Sequence, residues 1–407
     1  MPTPPRLYLD NAATSFPKPP TVLEAMTDYA IRLGASPGRG AYAEAREAGE
    51  LMHRCRERIN QLINGTSPDH VVFTLNTSDA LNLAIRGILH AAPSDRRHVV
   101  TTHLDHNSVL RPYNELATRG DCTQTRVPVD PVTGLVDPDD LRNAITPDTC
   151  LVAVVHGSNV TGTVQPIRDI GRVCREMAVP LLVDAAQTAG HLPIDVQADC
   201  IDLLAAPGHK GLLGPLGTGF LYIRPGLEKH MATVREGGTG SVSELDTQPD
   251  FMPDRFEPGS HNAIGLIGLS EGVQYLLDRG VDTLWAHEQA LIRTMIEGLT
   301  ADLPGLRYLG PQGVADRCGV FSIRIDTPDD TFAEPVALAE ALESEFGILT
   351  RAGIHCAPLA HDAMGTRELN GATRLSFGPF VQPQDVKYAT DALAELCHRY
   401  ASSSAPA

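Results

Sequence analysis

Short apolar runs alternate with helix-spaced apolar positions over the first half of this chain. Residues 71–74 (Val-Val-Phe-Thr) read as a buried strand, and Ala80, Leu81, Ala84, Ile85, Ile88 and Leu89 then recur at the spacing of one helix face. The alternation returns as a strand at 99–102, a strand at 151–155, a helix with Ile167, Ile170, Cys174 and Met177 on one face, and a strand at 180–184. Strands that alternate with helices pair in parallel and are covered on both faces, so an α/β fold with a mostly parallel sheet is expected.

After about residue 265 the pattern changes. An amphipathic stretch at 264–277 leads into a long helical segment at 284–303, which Pro304 stops. A strand at 320–325, a helix at 336–346 closed by Gly347, a strand at 374–377 and a last helix at 384–400 follow. The expected organisation is an N-terminal segment at 1–20 that packs with the small domain, a large domain at 21–265 and a smaller α+β C-terminal domain at 266–400. The polar tail at 401–407 has nothing to bury and is expected to be disordered.

At 407 residues the chain can bury an ample core without metal or disulfide staples. Its formal charge of −17 argues against a nucleic-acid partner, because phosphate neutralisation needs clustered Lys and Arg and no basic tract is present. No apolar run reaches the ~18 residues of a membrane span, and the first residues lack the apolar core of a signal peptide, so the cytoplasm is the expected compartment. Eight cysteines are scattered without a Cys-x-x-Cys pair or zinc-like spacing, which predicts reduced thiols and no metal site.

Candidate chemistry collects where strands end. Lys210, in Ala-Ala-Pro-Gly-His-Lys at 205–210, lies among small residues whose desolvation favours the free amine that imine chemistry needs. Asp184, in Leu-Val-Asp-Ala-Ala-Gln at 182–187, ends an apolar strand and wants a cation; a protonated pyridine nitrogen suits it, as does capping of the next helix. Gln187 is placed to reach an oxygen substituent on such a ring. Thr77 and Ser78 open a helix after a strand, a turn that serves equally as an ordinary cap or as a phosphate cradle. His106 suits stacking on an aromatic ring or a plain surface loop, and Asn159 suits a donor to a carboxylate or a turn bonding its own backbone. Cys356, in Arg-Ala-Gly-Ile-His-Cys at 351–356, is either a buried structural thiol or a nucleophile, and as a nucleophile it needs a base or positive field from His355, His361 or Arg351.

In this order the segments resemble the class V branch of fold-type I pyridoxal-phosphate enzymes, most closely the cysteine desulfurase and selenocysteine lyase family of the short-loop group. The resemblance runs from Tyr-Leu-Asp-Asn-Ala-Ala-Thr at 8–14 to the strand around Arg374. It implies pyridoxal 5′-phosphate on Lys210, with Asp184 on the pyridine nitrogen, Gln187 at the ring oxygen, His106 stacked on the ring and Asn159 near ring oxygen and substrate carboxylate. Thr77, Ser78 and His209 would hold the phosphate, with Arg374 and Arg351 binding substrate and Cys356 accepting sulfur. Thr239 (in Glu-Gly-Gly-Thr-Gly-Ser at 236–241) and Ser260 (in Arg-Phe-Glu-Pro-Gly-Ser-His-Asn at 255–262) resemble residues that reach the partner subunit's phosphate, which implies a homodimer with shared sites.

The implied reaction converts L-cysteine to L-alanine and leaves a persulfide on Cys356, with a protein sulfur acceptor as a further partner. Selenocysteine lyase, cysteine-sulfinate lyase and another class V aminotransferase or epimerase are the alternatives, and a sulfur-carrier scaffold without catalysis is a rival of another class. One departure stands out: Pro207 occupies the place of a family serine that contacts the phosphate, and Thr239 or Ser260 is expected to compensate.

Overall fold

The computed structural model describes residues 6–38, 40–301, 303–327 and 332–402. Leu7–Tyr8 forms β1, and the central sheet is built from β2 (Val71–Thr74), β3 (His98–Thr102), β4 (Thr123–Val127), β5 (Thr149–Val155), β6 (Leu181–Asp184), β7 (Leu203–Pro207) and β8 (Gly219–Ile223). Their order is β2-β8-β7-β6-β5-β3-β4, and β8 alone runs against the others. The apolar runs bury both faces by the two-residue period of a strand. Val72, Leu151, Ala153, Leu182 and Leu203 face one core, while Val71, Val152, Val154, Val183 and Leu204 face the other.

Helices α1 (Pro20–Asp28), α2 (Ala43–Leu62), α3 (Thr77–Ala91), α4 (Asn107–Arg119), α5 (Pro138–Ala144), α6 (Ile167–Glu176) and α7 (Ala263–Arg279) surround this sheet. The apolar stripes of α3 and α4 cover the first face, and those of α2, α6 and α7 the second. Met177 departs from the expected face: α6 ends one residue earlier and Met177 is exposed.

Helix α8 (Val281–Leu299) opens a second layer with β9 (Leu306–Tyr308), β10 (Val320–Ile325), α9 (Pro335–Phe346), β11 (Ile348–Leu349), β12 (Arg351–Gly353), α10 (Pro358–Ala363), β13 (Ala372–Ser376) and α11 (Pro383–Ser402). The four-stranded sheet β12-β13-β10-β9 is antiparallel, and β1 pairs in parallel with β11. Helix α8 stops at Leu299, short of Pro304.

The expected limit near residue 265 is not where packing changes. Helix α7 is buried on most sides rather than amphipathic and belongs to the large sheet's core, while α8 after it packs Leu284 and Trp285 against that core and Leu291, Ile292, Met295 and Leu299 into the second. Close approach explains this: a Cβ on Gly272 would stand 2.4 Å from the Leu212 carbonyl, so the glycine lets α7 press on the segment after Lys210. Of the expected disordered tail, Ala401 and Ser402 continue α11, and 403–407 lie outside the described residues.

One buried ion pair anchors the segment that carries Ser260. Arg56 Nη1 and Nη2 donate to Glu257 Oε1 and Oε2 at 2.7 and 2.6 Å, Phe73 N–H donates to Oε1 at 2.5 Å, and the guanidinium lies 4.0 Å from the Phe73 ring centroid. Removing one partner strands the other charge out of water, so Glu257→Ala is expected to lower stability by about 3–5 kcal/mol. Denaturant unfolding of the variant checks this; a loss below ~1 kcal/mol would show that the pair is replaceable by water.

Candidate active site

Strands β2, β3, β5, β6 and β7 all point their carboxyl ends to one edge of the sheet, where the ligands of open α/β sheets collect. The turns beyond them enclose a cavity of about 500 Å³, within the ordinary small-molecule range of about 300–1,000 Å³. Thr77, Ser78, His106, Asn159, Asp184, Gln187, His209 and Lys210 all line it. Eight residues scattered over some 130 positions of sequence thus meet because parallel strands deliver them side by side.

Lys210 is half-buried as a residue with its amine set deep in the cavity, and desolvation first of all, with the Arg374 and Arg351 charges assisting, pulls that amine down to about 8; the Asp184 carboxylate opposes the shift. Asp184 is itself buried and pushed up by that burial, while the Ala186 N–H, which donates to Oδ1 at 3.0 Å, and Lys210 draw it back. A carboxylate in that position is incompletely partnered and suits a cationic ligand atom. His106 caps α4: its Nδ1 accepts from Ser108 N–H at 3.1 Å, which puts the ring proton on Nε2. Burial, and then the Lys210 charge, hold this imidazole down at about 4, so its ring is neutral.

The opposite end of the cavity suits an anion. Asn76 caps α3 by accepting from Asp79 N–H, so the first N–H groups of the helix face the cavity at its positive end. Thr77 Oγ1 and His209 Nδ1 are buried without a hydrogen-bond partner, and such orphans are rare unless a ligand satisfies them. These donors and the Lys210–Asp184 pair at the other end fit a phosphate-bearing aromatic aldehyde. Pro207 lines the same wall and offers no hydroxyl. Thr239 and Ser260 do not compensate within the chain: Thr239 Oγ1 bonds Ser241 Oγ at 2.9 Å and Ser260 is exposed, both outside the cavity lining.

Arg374 and Arg351 stand directly opposite on β13 and β12. Arg374 is buried, and Nη2 donates to Asp10 at 2.8 Å and Nη1 to the Asn159 carbonyl at 3.2 Å, while Nε has no partner. Asn159 differs from expectation in one contact: its Nδ2 donates to the His355 carbonyl at 2.6 Å, tying the cavity to the loop that carries Cys356. Gln187 likewise spends one N–H on the Ala12 carbonyl at 3.1 Å.

Cys356 is exposed, unlike Cys55, Cys174 and Cys318, whose thiols burial pushes up to about 12. His355 and Cys356 both adopt positive φ, 52° and 60°, a conformation that costs non-glycine residues of order 1 kcal/mol or more and persists only where neighbours impose it. Asn107 N–H, donating to the Cys356 carbonyl at 2.9 Å, and Asn159 impose it here. Arg351 Nη2 lies 3.9 Å from Sγ. The two histidines offered as bases turn elsewhere: His355 Nε2 meets the Arg351 carbonyl and His361 Nδ1 meets Thr366, with both rings buried, tilted against each other at 5.5 Å between centroids and driven down by desolvation.

Residues 7–389 match the family Aminotransferase class-V. The chain belongs to that family. Among curated class-V relatives, a probable cysteine desulfurase of Methanothermobacter thermautotrophicus is 34% identical over 393 residues, 96% of this chain and 94% of its own. A cysteine desulfurase of Haloferax volcanii is 31% identical over 96% of this chain and 89% of its own. The apo structure of a cysteine desulfurase from Thermococcus onnurineus superposes with a TM-score of 0.87 at 31% identity, covering 97% of this chain and 95% of that one. One from Escherichia coli gives 0.83 at 27% identity, covering 97% and 95%. The class-V fold is the fold-type I arrangement that the motifs predict, and the family implies use of pyridoxal phosphate.

Several contributors escaped the sequence reading. Asp10 orients Arg374, and Lys18 Nζ and Ser15 hold the His209 and Lys210 carbonyls. Asp105 accepts from Thr102 N–H at 2.6 Å and Val155 N–H at 2.8 Å, bracing two strand ends, and burial pushes it up to about 7. Asp10 lay inside a quoted motif and Asp105 stood directly before His106; Lys18, between prolines, had no local signal. No helix among the described residues is long and apolar enough to cross a membrane, and no cluster of metal-ligating side chains is found among them.

Proposed function

We propose that this chain is a pyridoxal-phosphate-dependent cysteine desulfurase that converts L-cysteine to L-alanine and receives the sulfur on Cys356 as a persulfide. The observation that carries the reading is the pairing of a desolvated amine, Lys210, which shares a cavity with Asp184, with an exposed thiol on a loop that Asn159 ties to the same cavity. Lys210, Asp184, Gln187, His106, Thr77, Ser78 and His209 would hold the cofactor. When bound, pyridoxal phosphate supplies an acceptor for the electrons left on the substrate's Cα.

The chain's own groups supply the rest. Arg374, held by Asp10, presents a pre-oriented guanidinium to the substrate carboxylate. Asp184 would hold a ring nitrogen cationic, and the neutral His106 would lie against the ring without adding charge. Lys210, once its amine is free, takes the Cα proton. Cys356 as thiolate, faced by Arg351, attacks the substrate sulfur: the new S–S bond forms as the Cβ–S bond breaks, and that electron pair stays on carbon, which is protonated to the methyl of alanine.

The proposal extends to a soluble cytoplasmic homodimer in which Thr239 and Ser260 approach the partner subunit's phosphate site and replace the hydroxyl absent at Pro207. It also includes the division into a large cofactor-binding domain and a smaller C-terminal domain. Measuring alanine and sulfide from purified protein given cysteine, selenocysteine or cysteine sulfinate tests the function; alanine from the last two but none from cysteine would replace it by a lyase of the same family.

The depressed Lys210 amine makes a separate prediction. An amine with an ordinary value near about 10.4 is almost wholly protonated at pH 8, whereas one at about 8 is half free there. Cofactor uptake by the apoprotein is therefore expected to accelerate from pH 7 to about 8 and level off above it. A stopped-flow absorbance series checks this; a rate still rising tenfold per pH unit from 8 to 9.5 would return Lys210 to an ordinary amine.

A further inference from the structure

A second cavity, of about 510 Å³, opens beside the first and shares His106, Ser78 and Ser108 with it. Helices α3 and α4 form its walls, Ser78, Asn82 and Arg86 recurring every four residues on one and Asn107, Ser108 and Arg111 on the other. Cys356 lines the same groove and is exposed there. A 2.7 Å contact between Ser78 Oγ and Ser108 Oγ bridges the walls, and Asn82 Oδ1 accepts from Arg86 Nε at 3.1 Å, which holds that guanidinium along the groove.

Charge sets this groove apart. The chain carries 50 acidic against 33 basic side chains, an excess that leaves few surfaces free of carboxylates. Neither Arg86 nor Arg111 is in an ion pair among the described residues, and no carboxylate lines the cavity. Two uncompensated guanidiniums facing one groove attract an anion and suit a carboxylate geometrically.

We propose that this groove binds the acceptor that takes sulfur from Cys356, and that the acceptor is a small thiol bearing a carboxylate, held by Arg86 and Arg111. The inference rests on the desulfurase reading and adds the acceptor's chemical class and its site. The acceptor thiolate attacks the outer sulfur of the Cys356 persulfide; the S–S bond to Sγ breaks, its electron pair returns to Sγ, and the acceptor leaves as a persulfide. No further oxidant or reductant enters. Arg111 stands about one turn beyond Ser108 and Arg86 about 12 Å beyond Ser78 along the helix axis. Short thiol acids should therefore feel Arg111 more strongly.

The test uses cofactor-loaded enzyme given one equivalent of L-cysteine and then freed of the remainder, because the substrate is itself a thiol with a carboxylate; 3-mercaptopropionate, 2-mercaptoethanol or cysteamine then serves as acceptor at varied concentration, with rates expressed per thiolate. The wild type is expected to show a KM for 3-mercaptopropionate roughly tenfold below that for cysteamine, a preference that 0.5 M salt weakens. Arg86→Ala with Arg111→Ala should erase the preference, and Arg111→Glu should reverse it. Alanine formed in the first turnover, before any acceptor acts, should stay unchanged in all variants. Equal KM values for the three thiols in the wild type, or an equal loss for all three in the variants, overturns the groove assignment while leaving the desulfurase intact. A wild type that forms no first-turnover alanine removes the desulfurase reading, and the groove proposal with it.

Discussion

Lys210→Ala is expected to lower alanine formation from L-cysteine by about 10⁴-fold or more, the upper part of what a positioned proton-transfer group contributes, because the same amine also anchors the cofactor. The effect is chemical rather than structural. The Lys210 amine is a desolvated cation whose desolvation is only partly offset by Asp184, so truncating it removes an unfavourable term and leaves a small void. The folded variant should therefore unfold no earlier than the wild type in a thermal scan of the apoproteins. Cofactor should still bind without a covalent link through Thr77, His209 and Asp184, and its absorbance should lack the band of the lysine-linked form. Turnover within about tenfold of wild type, measured by alanine release over hours, would remove Lys210 from both roles.

Cys356→Ala has the second largest expected effect, and it is selective. Cysteine desulfuration should fall by about 10³-fold, since no other thiol is exposed at this mouth and the substrate's sulfur then has no nucleophile to receive it. Cysteine sulfinate carries its own stable leaving group and should lose much less, within about tenfold. An exposed side chain away from packed contacts costs within about ±0.5 kcal/mol on truncation, so stability and cofactor absorbance should be unchanged. Equal losses on cysteine and on sulfinate would mean that the substitution disturbs the loop rather than the sulfur transfer. The positive φ at His355 and Cys356 makes Cys356→Gly a useful companion: glycine accepts that backbone freely, so any activity left in Ala but lost in Gly reports on loop rigidity.

Much of the site was legible locally. Lys210, Asp184, His106 and Asn159 each follow an apolar strand, and the end of a parallel strand is where an α/β sheet exposes its ligands. What lacked a local signature was mutual orientation. Nothing near Asn159 in sequence indicates that its amide holds the His355 carbonyl, 196 residues on, or that Asp10 grips Arg374. The histidines near Cys356 illustrate the opposite error: proximity in sequence suggested a base, yet a buried, tilted ring pair faces a carbonyl and a threonine instead.

Periodicity and residue type by themselves determined the strand-helix alternation, the burial of both sheet faces and the set of chemically competent side chains, because each depends on short-range spacing alone. Tertiary structure decided where the two cores meet, which way the Cys356 loop turns, and that two arginines on neighbouring helices share a groove with that thiol. Those outcomes follow from packing between segments distant in the chain, where a glycine's missing methyl in α7 or a single amide hydrogen bond settles the geometry.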